Sequence, residues 1–197
     1  MSSKIAFFDF DGTITRKDTL LEFIRYAKGD LSFVLGFMMY SPFIVAFKLG
    51  IISNQLAKEK VLRHFFSDTG IEDFNRLCED FAIKVIPGLL RTKAMKEIEM
   101  LRAEGARIVV VSASAENWVG IWCREQGLEF IATRMECASG KLSGRIQGRN
   151  CHGEEKVNRI KSSYDLAAYK SIYCYGDSSG DKPMLELADV KFYRPFR

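Results

Sequence analysis

KIAFFDFDGTITRKDT, Lys4–Thr19, decides the fold. Its first part, Ile5–Phe10, is the apolar run of a strand buried on both faces. The run ends in two carboxylates one residue apart, Asp9 and Asp11. Strand side chains alternate between faces, so the spacing predicts Asp9 and Asp11 projecting together, with Phe10 turned into the core. Like charges held this close destabilise each other unless a shared proton or a bound cation offsets them. Gly12 lets the backbone turn sharply and approach a ligand. Asp-Gly is also an ordinary turn dipeptide, so a turn and a ligand site both fit these residues until the other strand ends are known.

The chain has 197 residues, the size of one domain or of a domain with a modest insertion. Hydrophobic residues make up 47%, and only four residues are proline, which suits a substantial core. The net charge of +4 is spread along the chain. Such a balance demands no nucleic acid and is compatible with a phosphate-bearing substrate or an anionic membrane surface. The five cysteines, Cys78, Cys123, Cys137, Cys151 and Cys174, are odd in number, widely spaced and form no CxxC pair. With no secretory signal at the N-terminus, reduced thiols and a cytoplasmic protein are expected. Cys151-His152 has no further zinc ligands beside it, and His64 is the only other histidine, which argues against zinc.

Strand and helix patterns alternate along most of the chain. Arg107–Val111, Leu128–Ile131, Ser171–Tyr175 and Val190–Tyr193 read as strands, and Gly140–Gly148 carries hairpin punctuation. Leu89–Glu104, Ala115–Gln126 and Glu154–Ser163 have helical spacing. This predicts an α/β fold with a doubly wound, mainly parallel sheet. The segment between Thr13 and Pro87 breaks the rhythm, being helical in pattern without a convincing strand. The expected division is a core of residues 1–14 and 86–197 with an inserted helical cap over 15–85.

Ligands of open α/β sheets sit outside the carboxyl ends of the strands. Asp9 and Asp11 follow the first strand, Ser112–Ser114 the second long one, and GDSSGD, Gly176–Asp181, the third. Lys156 opens the helix before that third strand and is placed to reach the same crevice. Asp9, Asp11, Asp177 and Asp181 form an oxygen-only donor set, which selects a hard cation, naturally Mg2+. Ser112, Lys156 and backbone N–H groups around Gly12 suit the oxygens of a phosphate. A carboxylate nucleophile beside such a cation and a phosphate site is the equipment for an aspartyl-phosphate intermediate. Taken singly, Ser112 reads as a helix cap, Lys156 as a surface lysine and Asp181 as the cap of a helix begun by Pro183.

DFDGT, VVVSAS, Lys156 in CHGEEK, and YGDSSGDKPML resemble, in order, the four motifs of the haloacid dehalogenase superfamily. The resemblance spans the whole chain, and the helical insert is similar to the cap of the phosphoserine-phosphatase-like branch (subfamily IB). It implies that Asp9 is the nucleophile and Asp11 the acid and base. It implies that Asp9, the Asp11 carbonyl and Asp177 ligate Mg2+, with Asp181 completing or orienting the metal shell. Ser112 and Lys156 would hold the phosphoryl oxygens. Family dehalogenases place no acid/base aspartate at the position of Asp11, so the resemblance points to a phosphatase.

Specificity would lie in the cap. Asp18 stands near the place where phosphoserine phosphatases carry an acidic residue for the substrate amine, and Arg63 is the candidate partner for a substrate carboxylate. The first motif reads DGT, where those enzymes commonly have serine in place of the glycine. The expected substrate is a small phosphomonoester, phosphoserine-like. Leu31–Ile52 is uncharged as far as Phe47 and is interrupted by Gly36 and Pro42. It is too broken to span a bilayer and predicts two short cap helices with a turn near Tyr40–Pro42. The alternative is a cap that faces a membrane, in a protein peripheral to its inner face. That alternative resembles bacterial phosphatidylglycerophosphate phosphatases of the same branch and implies a lipid phosphate. A third reading is a non-enzymatic phospho-receiver domain, which also sets acidic groups, a hydroxyl and a lysine on an α/β sheet. Receivers lack a cap after the first strand.

Overall fold

The computed structural model describes residues 4–197, apart from the side chains at 44, 47 and 48. Five parallel strands form one sheet, in sheet order β3 (Glu129–Thr133), β2 (Arg107–Ala115), β1 (Lys4–Phe8), β6 (Ser171–Gly176) and β7 (Val190–Tyr193). β4 (Met135–Ala138) and β5 (Lys141–Ile146) make a separate antiparallel hairpin. Its turn falls at Ser139–Gly140, at the start of the stretch expected to form the hairpin.

β1 lies at the centre, and Ile5, Ala6, Phe7 and Phe8 are all fully buried, as a strand covered on both faces requires. Phe8 stacks on Tyr175 with ring centroids 4.1 Å apart, while Phe7 on the opposite face meets the edge of Tyr164. Helices α5 (Thr92–Ala103), α6 (Glu116–Glu125), α7 (Glu154–Ser163) and the short α8 (Lys182–Leu185) connect the later strands. This is the doubly wound α/β architecture expected.

Between β1 and α5 come α1 (Thr19–Lys48), α2 (Asn54–Phe66), α3 (Ile71–Lys84) and the single turn α4 (Ile86–Leu89). Phe23 of α1 joins this insert to the core. Its ring meets Phe66, Phe74 and Phe81 of the insert and stacks 4.7 Å from Trp118 of α6. The insert and the sheet therefore share one continuous apolar cluster.

The expected break near Tyr40–Pro42 is absent. α1 runs through Pro42 and kinks instead at Gly29, whose φ of +80° is a conformation glycine adopts without strain. Proline lacks the N–H that the Met38 carbonyl would otherwise accept. Ser41 Oγ donates to that carbonyl at 2.8 Å, so the helix keeps the acceptor satisfied.

Candidate active site

β1 ends at Phe8, and the chain then makes a wide turn over Phe10–Ile14, closed by Thr15 N–H donating to the Phe10 carbonyl. Asp9 and Asp11 are thus in a turn and not in a strand, and their side chains diverge where the alternation rule had them together. Phe10 goes into the core against Trp122, as expected.

Asp9 is buried and faces Lys156. Lys156 Nζ donates to Asp9 Oδ1 at 2.6 Å, to Asp181 Oδ1 at 2.7 Å and to the Val111 carbonyl at 2.7 Å, which uses all three of its protons. Lys156 is 1% exposed, and a buried ammonium requires this degree of pairing. It reaches the site because α7 presents Lys156, Val157 and Ile160 on its buried face, with Glu154 and Glu155 in the favourable first turn. Burial lowers the Lys156 pKa, but the Asp9 and Asp181 carboxylates outweigh it and hold the lysine charged.

Burial pushes the Asp9 carboxyl up to about 8; Asp181 and Asp11 add to the rise, and Lys156 opposes it. Thr13 Oγ1 donates to Asp9 Oδ2 at 3.1 Å. Asp177 and Asp181 complete the cluster: one oxygen from each of Asp9, Asp177 and Asp181 lies within 4.8 Å of the others. Asp181 Oδ2 also accepts from Asp177 N–H, Ser178 N–H and Ser178 Oγ, which locks the 177–178 turn. Asp177 is ion-paired with Arg197, and Arg194 Nε donates to its carbonyl at 2.9 Å. Gly12 has φ +86°, and a Cβ there would fall inside the Asp177 carboxylate, so both conformation and space require glycine. Three buried carboxylates against one buried lysine, all with oxygen donors, fit a hard divalent cation.

Asp11 is held by a different set of groups. Oδ1 accepts from Thr19 N–H at 2.7 Å and Thr19 Oγ1 at 2.6 Å, and Oδ2 accepts from Ser114 Oγ at 2.6 Å. Trp118 Nε1 donates to Thr19 Oγ1 at 3.1 Å. Ser112 Oγ lies 3.5 Å from Asp11 Oδ2 and accepts from Ser114 N–H at 2.9 Å. Both serines sit where the β2–β3 register shifts between Val111 and Ala115, the kind of irregularity that re-aims side chains beside a site.

Of the two cap residues singled out, Asp18 lies at the start of α1, where Oδ1 accepts from Leu20 N–H at 2.9 Å and Leu21 N–H at 3.1 Å. It caps the helix and adjoins Asp11. Arg63 is exposed, with its backbone packed on Gly144 of the hairpin. The cap cation at the site is instead Lys58 of α2. Its Nζ donates to the Ala113 carbonyl at 2.8 Å and lies 3.4 Å from Asn150 Oδ1, within electrostatic reach of Asp18 and Asp11. His152 packs on Gly180, and burial holds its pKa below the usual value. Lys58 and Thr19 were missed by sequence reasoning, and Ser114, within the Ser112–Ser114 stretch at a strand end, was given no role of its own.

A parallel sheet with a helical insert after its first strand carries buried carboxylates, a lysine and hydroxyls together at its carboxyl edge. The chain belongs to the haloacid dehalogenase-like hydrolases, whose family model matches residues 6–186. It is similar to protein CicA of Caulobacter vibrioides, 33% identical over 96% of this chain and 85% of that one. It is also similar to a probable phosphatase, Rv3661, of Mycobacterium tuberculosis, 31% identical over 92% of this chain and 65% of that one. A solved structure of a phospho-aspartyl intermediate analogue of phosphoserine phosphatase shares the fold. Its TM-score is 0.71 at 21% identity, covering 97% of this chain and 86% of that one.

Proposed function

We propose that the protein is a Mg2+-dependent phosphomonoesterase working through an aspartyl-phosphate on Asp9. The observation that carries this reading is the buried Asp9–Lys156–Asp181 contact with Asp177 beside it. Asp9, Asp177, the Asp11 carbonyl and Asp181 would hold the ion, which when bound supplies positive charge to the phosphoryl oxygens and lowers the pKa of Asp9.

The Asp9 carboxylate attacks phosphorus, the ester P–O bond breaks, and protonated Asp11 gives its proton to the leaving alkoxide. Water then attacks phosphorus, Asp11 takes its proton, and the Asp9–phosphorus bond breaks to give inorganic phosphate and free Asp9. Ser112 and the backbone at Gly12 would hold the phosphoryl oxygens, together with Lys156 once its proton on Asp9 turns to a phosphoryl oxygen. Lys58 and Asp18, one cationic and one anionic group at the cap side, suit a small zwitterionic ester such as a phosphoserine-like metabolite. A lipid phosphate is the second reading, favoured by the apolar outer face of α1.

The test is phosphate release from a panel of soluble and lipid phosphomonoesters, with Mg2+ and with EDTA. Release with Mg2+ and none with EDTA is expected. No turnover of any ester, or turnover unchanged by EDTA, would overturn the reading.

A further inference from the structure

Beyond Gly29, α1 is apolar on both of its faces. Phe33, Gly36 and Tyr40 look inward, where Gly36 abuts Phe65 and the Tyr40 ring lies 4.9 Å from His64 of α2. Leu31, Leu35, Met38, Pro42, Val45 and Leu49 follow the three-and-four spacing of one stripe on the opposite side. That stripe is open: Leu31 is 75%, Met38 68% and Leu49 69% exposed, and Leu35 and Val45 are exposed as well. Val34 and Met39 widen it. A helix on a protein surface normally turns a polar face to water, and a contiguous apolar patch of this extent marks an interaction surface.

The rim of the patch indicates what covers it. At one end Lys28 is exposed and Arg25 is paired with Glu22 and Asp30, and at the other Lys60 of α2 lies beside Phe43. From Arg16 to His64 the sequence carries eight Lys and Arg against four Asp and Glu. An apolar stripe with cations at both ends matches an anionic lipid surface. Among the described residues no helix is long and apolar enough to cross a membrane, so the contact is in the plane of the surface.

We infer that the outer face of α1, from Leu31 to Leu49, docks the protein on an anionic bilayer surface. The C-terminal end of the stripe leads to Asn54, Gln55 and Lys58 of α2, which bond to Asn150, Gly148 and Ala113 beside the catalytic cluster. The start of α2 thus joins the docking face to the edge of the site. This inference does not need the phosphatase reading, and vesicle binding is measured without turnover, so each fails separately.

The experiment is co-sedimentation of the full chain with vesicles of phosphatidylglycerol and phosphatidylcholine, and with phosphatidylcholine alone. The protein should pellet with the anionic vesicles and less so at raised salt. Leu35→Asp combined with Met38→Asp should cut the bound fraction roughly tenfold while the melting temperature is kept. The milder Leu35→Ser with Met38→Ser, which keeps the helix neutral, should weaken binding in the same direction if the aspartates disturb folding. Wild-type protein left in the supernatant, or folded variants that pellet equally well, would overturn the inference. So would equal binding to neutral vesicles, or a solution dimer dissolved by the same substitutions in a protein that ignores lipid.

Discussion

Ser114 Oγ donates to Asp11 Oδ2 at 2.6 Å, and this bond crosses from the end of β2 to the turn after β1. With Thr19 on the other oxygen, it points the Asp11 carboxylate away from Asp9 and towards the cap. An acid and base for the leaving group has to stand apart from the nucleophile, on the side from which the alcohol departs. Ser114→Ala should therefore lower kcat roughly tenfold with little change in KM, as expected for a group that positions an acid and base. Steady-state kinetics across pH check this. An unchanged kcat would remove Ser114 from the account.

Lys156 donates at once to Asp9 and to the buried Asp181 carboxylate. Lys156→Met leaves Asp9 and Asp181 facing each other without a cation, and the loss of stability should be about 3–5 kcal/mol. Urea denaturation in EDTA measures it, and Mg2+ should recover part of the loss. A loss below about 1 kcal/mol would contradict the pairing.

The pH dependence follows from Asp9. Its folded pKa of about 8 lies above the ordinary 3.8, so the folded protein binds a proton that the unfolded chain releases. The resulting stability is full below the unfolded pKa and is lost as pH rises through the folded one. Metal-free protein should melt progressively lower between pH 4 and about 8. Because Mg2+ favours ionised Asp9, its stabilising effect should be larger at pH 8 than at pH 5.5. Thermal melts with and without Mg2+ test this, and equal Mg2+ shifts at both pH values would count against it.

Cap specificity is tested by comparing two basic residues. Lys58→Ala should raise KM roughly tenfold with kcat largely kept, because Lys58 touches the site edge and not the reacting carboxylates. Arg63→Ala should change neither constant. The opposite pattern would restore Arg63 as the specificity residue.

Much of this arrangement is legible in the sequence, for identifiable reasons. β1, β2 and β6 are long apolar runs, and the residues that follow them meet because parallel strands bring their carboxyl ends to one edge. α7 is bounded at Glu154–Ser163, as its periodicity indicates. The divergence of Asp9 and Asp11 is not legible, because it depends on β1 stopping at Phe8, two residues before the apolar pattern ends at Phe10. The course of α1 through Pro42 depends on one hydroxyl, Ser41, meeting one carbonyl, which local propensity does not encode. Lys58 is invisible for another reason: a lysine on an amphipathic helix looks solvated until tertiary packing places its ammonium against Ala113 and Asn150.

The central claim is that Asp9 is the atom donor to phosphorus, and the most direct measurement is a crystal structure grown with beryllium fluoride and Mg2+. The account predicts a tetrahedral fluoroberyllate bonded to an Asp9 carboxylate oxygen, with Lys156 and Ser112 beside its fluorines and Asp177 on the metal. The companion variant Asp9→Asn should bind no fluoroberyllate and turn over no ester while remaining folded. Fluoroberyllate bonded to Asp11 or Asp177, or full activity of Asp9→Asn, would contradict the account.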